Sequence, residues 1–125
     1  MTDILIVDDN AEIAQMLRIV LEMEGYSVQW ARHGSEALDW LRRCLAPPQA
    51  MLVDLSMPEM DGPTFIRHVG EVPALRHVPI LVMSAESHPE TRVRGLPVAA
   101  VLEKPFGMDA LLRHIGQATA QPKAA

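Results

Sequence analysis

Apolar residues fall along the chain in short runs at 4–7, 27–31, 50–53, 80–83 and 99–102, separated by stretches with helical spacing. Most of the runs are continuous rather than alternating, as expected of strands covered by helices on both faces. Between the first two, Ile13, Met16, Leu17, Val20 and Leu21 form one helical stripe, and Gly25 stops it. Asp9 stands three residues before Glu12, a capping-box-like start. A second helix is expected over 35–44 with Ala37, Leu38 and Leu41 inward, and a third from Pro63 with Phe65, Ile66 and Val69. Ser87 and Glu90 form a possible capping box for a fourth, which Gly95 and Pro97 end early, so that helix is expected to be short. The fifth carries Met108, Leu111, Leu112 and Ile115 at i, i+3, i+4 and i+7.

This alternation predicts an α/β fold with a parallel sheet wrapped by helices. At 125 residues one core suffices, so one domain is expected over 1–118, with 119–125 a flexible tail or the start of a linker. Aromatics are only 4% of the chain, which leaves core packing to aliphatic side chains.

A formal net charge of -5 opposes docking on a polyanion, so direct nucleic-acid binding is not expected. No apolar run approaches the roughly 18 to 20 residues that cross a bilayer, the acidic start MTDILIVDD lacks the features of a signal peptide, and the single Cys44 has no partner for an internal disulfide. A reduced, cytoplasmic setting without membrane contact is the expectation, with Cys44 a buried thiol on a helix. His33, His68, His77, His88 and His114 show no metal-ligand spacing and are expected at the surface or half-buried.

Ligands of open parallel sheets bind beyond the carboxyl ends of the strands, and there the chain places Asp8 and Asp9, Asp54, Ser84 and Lys104. Singly, each has an ordinary reading: Asp9 as a helix cap, Ser84 as a strand-end hydroxyl, Lys104 as a solvated cation. Asp61 with Gly62 reads as a turn. Together the acids would either take up a proton or recruit a cation, because carboxylates crowded at strand ends repel one another. Mg²⁺ suits them, needing only one or two carboxylates besides water and phosphate oxygens. A carboxylate such as Asp54 can also act as a nucleophile toward phosphorus.

The stretch ILIVDD, the run VDLSMPEMDG, the MSA after the fourth run and the EKPF after the fifth, in that order, resemble the receiver domains of two-component response regulators. The resemblance reaches to about Gln117. It implies a doubly wound, flavodoxin-like (βα)5 fold with strand order 2-1-3-4-5. It implies Asp8 and Asp9 as the acidic metal pair, Asp54 as phosphoacceptor and fellow ligand, and the Ser56 backbone carbonyl completing a Mg²⁺ site. Ser84 and Lys104 would contact the phosphoryl group, and a cis Lys104-Pro105 bond would be ordinary. The domain would not be an enzyme but a phosphoacceptor that assists its own phosphorylation and dephosphorylation. The donor would be a sensor histidine kinase or histidine phosphotransfer protein, and the output a downstream protein target.

The chain departs from the pattern at Val101, where receivers usually carry Tyr or Phe. Rival readings are a degenerate receiver that signals without phosphate and a flavin- or nucleotide-binding enzyme on the same architecture. The second lacks its Gly-rich loop, and a haloacid-dehalogenase-like phosphatase would need Asp-x-Asp where Asp54 is followed by Leu55 and Ser56.

Overall fold

The computed structural model describes residues 2–57 and 60–119. Strands β1 (Ile4–Val7), β2 (Val28–Ala31), β3 (Ala50–Asp54), β4 (Ile80–Ser84) and β5 (Ala100–Glu103) form one parallel sheet in the order β2-β1-β3-β4-β5. Helices α1 (Ala11–Met23), α2 (Gly34–Arg43), α3 (Gly62–Gly70), α4 (Pro89–Arg92) and α5 (Met108–Ala118) connect and cover it, with a 3-10 turn at Pro73–Leu75. The doubly wound, flavodoxin-like α/β architecture is the predicted one.

Strand residues alternate between two cores because successive side chains point to opposite sheet faces. Leu5, Val7, Met51, Val53, Ile80 and Val82 pack with Leu38 and Leu41 of α2 and with Phe65, Ile66 and Val69 of α3. Ile4, Ile6, Ala50, Leu52, Leu81 and Met83 pack with Leu17 and Leu21 of α1 and Leu111 and Ile115 of α5. β1, β3 and β4 are buried throughout, which explains their unbroken apolar runs.

Helix starts differ from several expectations. Asn10, not Asp9, caps α1: its side chain accepts from the Ile13 N–H at 3.1 Å, while the Asn10 N–H donates to Asp8 Oδ1 at 2.8 Å, and Asp9 is left exposed. The helix is also turned slightly from the predicted stripe. Ala14 faces the sheet, where its small side chain permits close approach, and Met16 is 46% exposed. His33 caps α2, accepting through Nδ1 from the Glu36 N–H. Cys44 lies just past α2, half-buried, with its thiol donating to the Leu41 carbonyl. Asp61 is more than a turn residue, since its side chain accepts from the Thr64 N–H at 2.9 Å and caps α3.

α4 is short, as its Pro and Gly punctuation predicts, and at four residues is a single turn; Gly95 beyond it takes a positive φ of 81°. The predicted Ser87–Glu90 capping box does not form, because the N-cap is His88 and makes no side-chain capping bond. The Lys104-Pro105 bond is cis. Thr119 ends α5, and the predicted tail lies, from residue 120 onward, outside the described residues.

Gly62 fixes how closely α3 approaches the end of β3. A Cβ there would stand 2.8 Å from both the Asp54 carbonyl oxygen and the Leu55 Cα, two backbone atoms with no room to move, whereas a Cβ at Gly34 would meet chiefly the flexible Met60 side chain. Gly62→Ala is expected to cost about 2 kcal/mol or more, in the range of overpacked cores, and Gly34→Ala under about 1 kcal/mol. Urea midpoints compare the two. Equal costs would show that α3 can shift away from Asp54.

Candidate functional site

The carboxyl ends of the three central strands carry the predicted side chains. Asp8 follows β1 and is fully buried, Asp54 ends β3 and is 7% exposed, and Ser84 ends β4 and is 2% exposed. Backbone ties fix these ends relative to one another. The Leu55 N–H donates to the Met83 carbonyl at 3.1 Å, and the Lys104 N–H donates to the Ser84 carbonyl at 2.7 Å. On the outer side, Trp30 of β2 donates its indole N–H to the Asp8 carbonyl at 2.7 Å.

Asp8, Asp9 and Asp54 each offer a carboxylate oxygen within 4.8 Å of the others, the one such acidic or His/Cys cluster among the described residues. Lys104 reaches this group from beyond β5, its Nζ 3.4 Å from Asp54 Oδ1 and 3.6 Å from Asp8 Oδ2. Asp8 Oδ1 is satisfied by the Asn10 N–H, but Oδ2 is buried with no hydrogen-bond partner. One ammonium thus faces three carboxylates.

That imbalance appears in the acidities. Burial, then the neighbouring Asp8 charge, pushes the Asp54 carboxyl from 3.8 up to about 6, although Lys104 pulls the other way. Burial likewise raises Asp8, against the Asn10 N–H and Lys104. Asp61 moves down, held by the Thr64 N–H, as a capping carboxylate should.

An orphaned buried carboxylate oxygen beside two further acids is a donor set that fits a hard divalent cation, and Mg²⁺ in particular. Asp8, Asp9 and Asp54 could hold one. Ser56, two residues past Asp54, is exposed, and its hydroxyl donates to Glu86 Oε2 at 3.0 Å. All six residues singled out in the sequence therefore lie on or beside this one edge of the sheet. No histidine joins them among the described residues.

Four participants were not singled out: Asn10, Trp30, Glu86 and Arg92. The Glu86 N–H donates to Ser84 Oγ at 2.9 Å, and its Oε2 accepts from Arg92 Nη1 at 2.6 Å. Glu86 sits two residues past Ser84 as Ser56 sits two past Asp54, and β3 and β4 are adjacent in nearly matching register. That parity was the available signal for Glu86. Arg92 and Trp30 offered none.

A family model for the response regulator receiver domain matches residues 4–116. Response regulator MprA of Mycobacterium avium is 38% identical over 114 residues, which cover 90% of this chain and 48% of that protein. The chain thus spans about half the length of the curated relatives it matches. Among solved structures, a putative response regulator from Chloroflexus aurantiacus superposes with a TM-score of 0.88 at 30% identity, covering 96% of this chain and 98% of that one. The receiver domain of a sensor histidine kinase from Pseudomonas aeruginosa, with a magnesium ion coordinated in its active-site cleft, gives 0.85 at 25% identity over 96% and 98%. With the sheet order, the acids at its carboxyl edge and these matches in agreement, the chain belongs to the response regulator receiver domain family.

Proposed function

We propose that this domain is a phosphoacceptor switch in which Asp54 takes a phosphoryl group from a phosphohistidine donor. The observation that carries the reading is the buried Asp8–Asp54 pair with its single ammonium, a site short of positive charge with the exposed Asp9 at its rim. Asp54 Oδ1 faces Lys104, which leaves the second oxygen to attack phosphorus while the bond from phosphorus to the donor nitrogen breaks and its electron pair returns to the donor. Lys104 and the Ser84 hydroxyl then neutralise and bond the phosphoryl oxygens.

Asp8, Asp9, Asp54 and the Ser56 carbonyl would hold Mg²⁺. Bound there, the cation supplies charge neutralisation for the transferring group. The Pseudomonas aeruginosa relative with magnesium in its cleft supports this reading, as does the orphaned Asp8 oxygen. On this reading the domain is not an enzyme acting on other substrates. It assists its own phosphorylation and dephosphorylation, in the cytoplasm, and alters the binding of a downstream protein.

The donor would be a sensor histidine kinase or a histidine phosphotransfer protein. A mostly apolar cleft of about 380 Å³ adjoins Lys104, lined by Ile13, Met16, Ala85, Pro105 and Phe106, and Met16, Ile19 and Met23 extend it along the exposed side of α1. Such a surface at the rim suits a protein donor. No helix among the described residues is long and apolar enough to cross a membrane.

Treatment with acetyl phosphate and Mg²⁺ is expected to add one phosphoryl mass to the intact chain, and omission of the metal or Asp54→Asn to abolish the gain. Labelling of Asp54→Asn at the wild-type level would remove Asp54 as acceptor.

The raised Asp54 pKa also sets a pH dependence. Between 3.8 and about 6 the native state holds a proton that the unfolded chain has released, so stability falls as pH rises through that window. In chelator at pH 8, Asp54→Asn is expected to be more stable than wild type by about 2 to 3 kcal/mol, the equivalent of some two pKa units. At pH below 4 the two converge. Mg²⁺ stabilises wild type at pH 8 and has less effect at pH 4, where Asp54 is protonated. Chemical denaturation across pH checks this, and equal stability of the two proteins at pH 8 would contradict it.

A further inference from the structure

Glu86 and Arg92 have no part in the chemistry assigned to Asp54, yet they join the two loops that frame it. Ser84 Oγ accepts from the Glu86 N–H at 2.9 Å, and Glu86 Oε2 accepts from Ser56 Oγ at 3.0 Å and from Arg92 Nη1 at 2.6 Å. The other end of the guanidinium, Nη2, lies 3.5 Å from Asp61 Oδ2. Asp61 caps α3 immediately before Gly62, whose backbone is pressed against the Asp54 carbonyl. The contacts therefore run from the hydroxyl of β4, through α4, to the start of α3.

α4 has little else to hold it by polar contacts. It is four residues long with no side-chain cap, and among the described residues its one other ion pair is the local contact of His88 with Glu90. Val93 beyond it is buried, but Val98 and Val101 nearby are only partly so. The Arg92 and Glu86 side chains are 37% and 30% exposed. Ion pairs this accessible contribute little to stability, so such a clasp is remade cheaply when charge nearby changes.

We propose that Arg92 is a positioning residue that couples α4 to the phosphorylation state of Asp54, acting through Glu86 and Ser84. The inference rests on the phosphoacceptor reading above. Ser84 Oγ already accepts from Glu86, which leaves its own proton to donate to a phosphoryl oxygen. When the hydroxyl turns to the phosphoryl group, the Glu86 backbone must follow, and the Glu86 carboxylate carries Arg92 with it. The new negative charge works in the same direction, repelling Glu86 and attracting the guanidinium away from Asp61. Val101 is too short to fill and vacate a pocket as a ring would, so the readout passes along the loop and α4.

Hydrogen exchange of the full chain with Mg²⁺, with and without beryllofluoride as phosphoryl mimic, tests the proposal in wild type, Arg92→Met and Arg92→Lys. In wild type, amides of 87–94 are expected to change exchange rate by about fivefold or more on adding the mimic, while Arg92→Met holds the change under about twofold. Amides of 50–56 should respond alike in both, and β1 to β3 should exchange alike without the mimic, which separates lost coupling from lost folding. Arg92→Lys, which keeps a cation for Glu86, should recover at least about half of the response. A full response in Arg92→Met, no recovery in Arg92→Lys, or no change over 87–94 in a wild type that acquires the phosphoryl mass overturns the proposal. Failure of wild type to acquire that mass would instead strike the phosphoacceptor reading.

Discussion

Two carboxylates from adjacent parallel strands, both nearly removed from water, share one ammonium at the carboxyl edge of the sheet. Desolvation raises the pKa of both carboxyls, the Asp8 charge adds to this at Asp54 and the Asp9 charge at Asp8, and Lys104 only partly offsets them. A fold could relieve this by letting Asp8 turn outward. Here it cannot, because Asp8 is held on both sides, its carboxylate by the Asn10 N–H and its carbonyl by the Trp30 indole. The deficit of positive charge is built into the backbone, and the domain's proposed chemistry follows from what can relieve it.

The scaffold serves that constraint in detail. Asn10 both starts α1 and binds Asp8, so the helix and the buried acid are fixed by one residue. On the other side Gly62 lets α3 begin directly against the carbonyl of Asp54, with Asp61 capping the helix. Two helix N-termini thus lie beside the acids, where the backbone offers N–H groups and the positive end of the helix dipole. The apolar sheet beneath is continuous through β1, β3 and β4, so the strand ends have little freedom to separate.

Much of this was legible in the sequence because buried parallel strands advertise themselves as apolar runs, and the residue that ends each run must lie at one edge. Asp54 and Ser84 were placed by that rule alone. The helix starts were less legible, since Asp9 and Asn10 are both capable caps for α1, and which one serves depends on where Asp8 points. The stripe of α1 was misjudged by one position: Met16 outranks Ala14 in hydrophobicity, but the sheet accepts the smaller side chain at close range. Arg92 was not legible at all. Its partners Glu86 and Asp61 stand 6 and 31 residues away, and only the folded loops bring them to one guanidinium.

The distribution of rigidity across the site explains why a response should concentrate at its β4 side. The β1 and β3 sides are secured by neutral hydrogen bonds and by backbone contact at Gly62, interactions that a change of charge leaves largely intact. Beyond β4, the side-chain polar contacts that tie α4 to the site are exposed ion pairs on a single uncapped turn, and these depend on charge. A phosphoryl group alters the local charge by more than any side chain can, and it acts over the few ångströms where screening is weak. On the proposed coupling, the element whose attachment is most electrostatic is the one that such a group would displace, since α4 is short and Val101 stands where a ring would otherwise carry the movement.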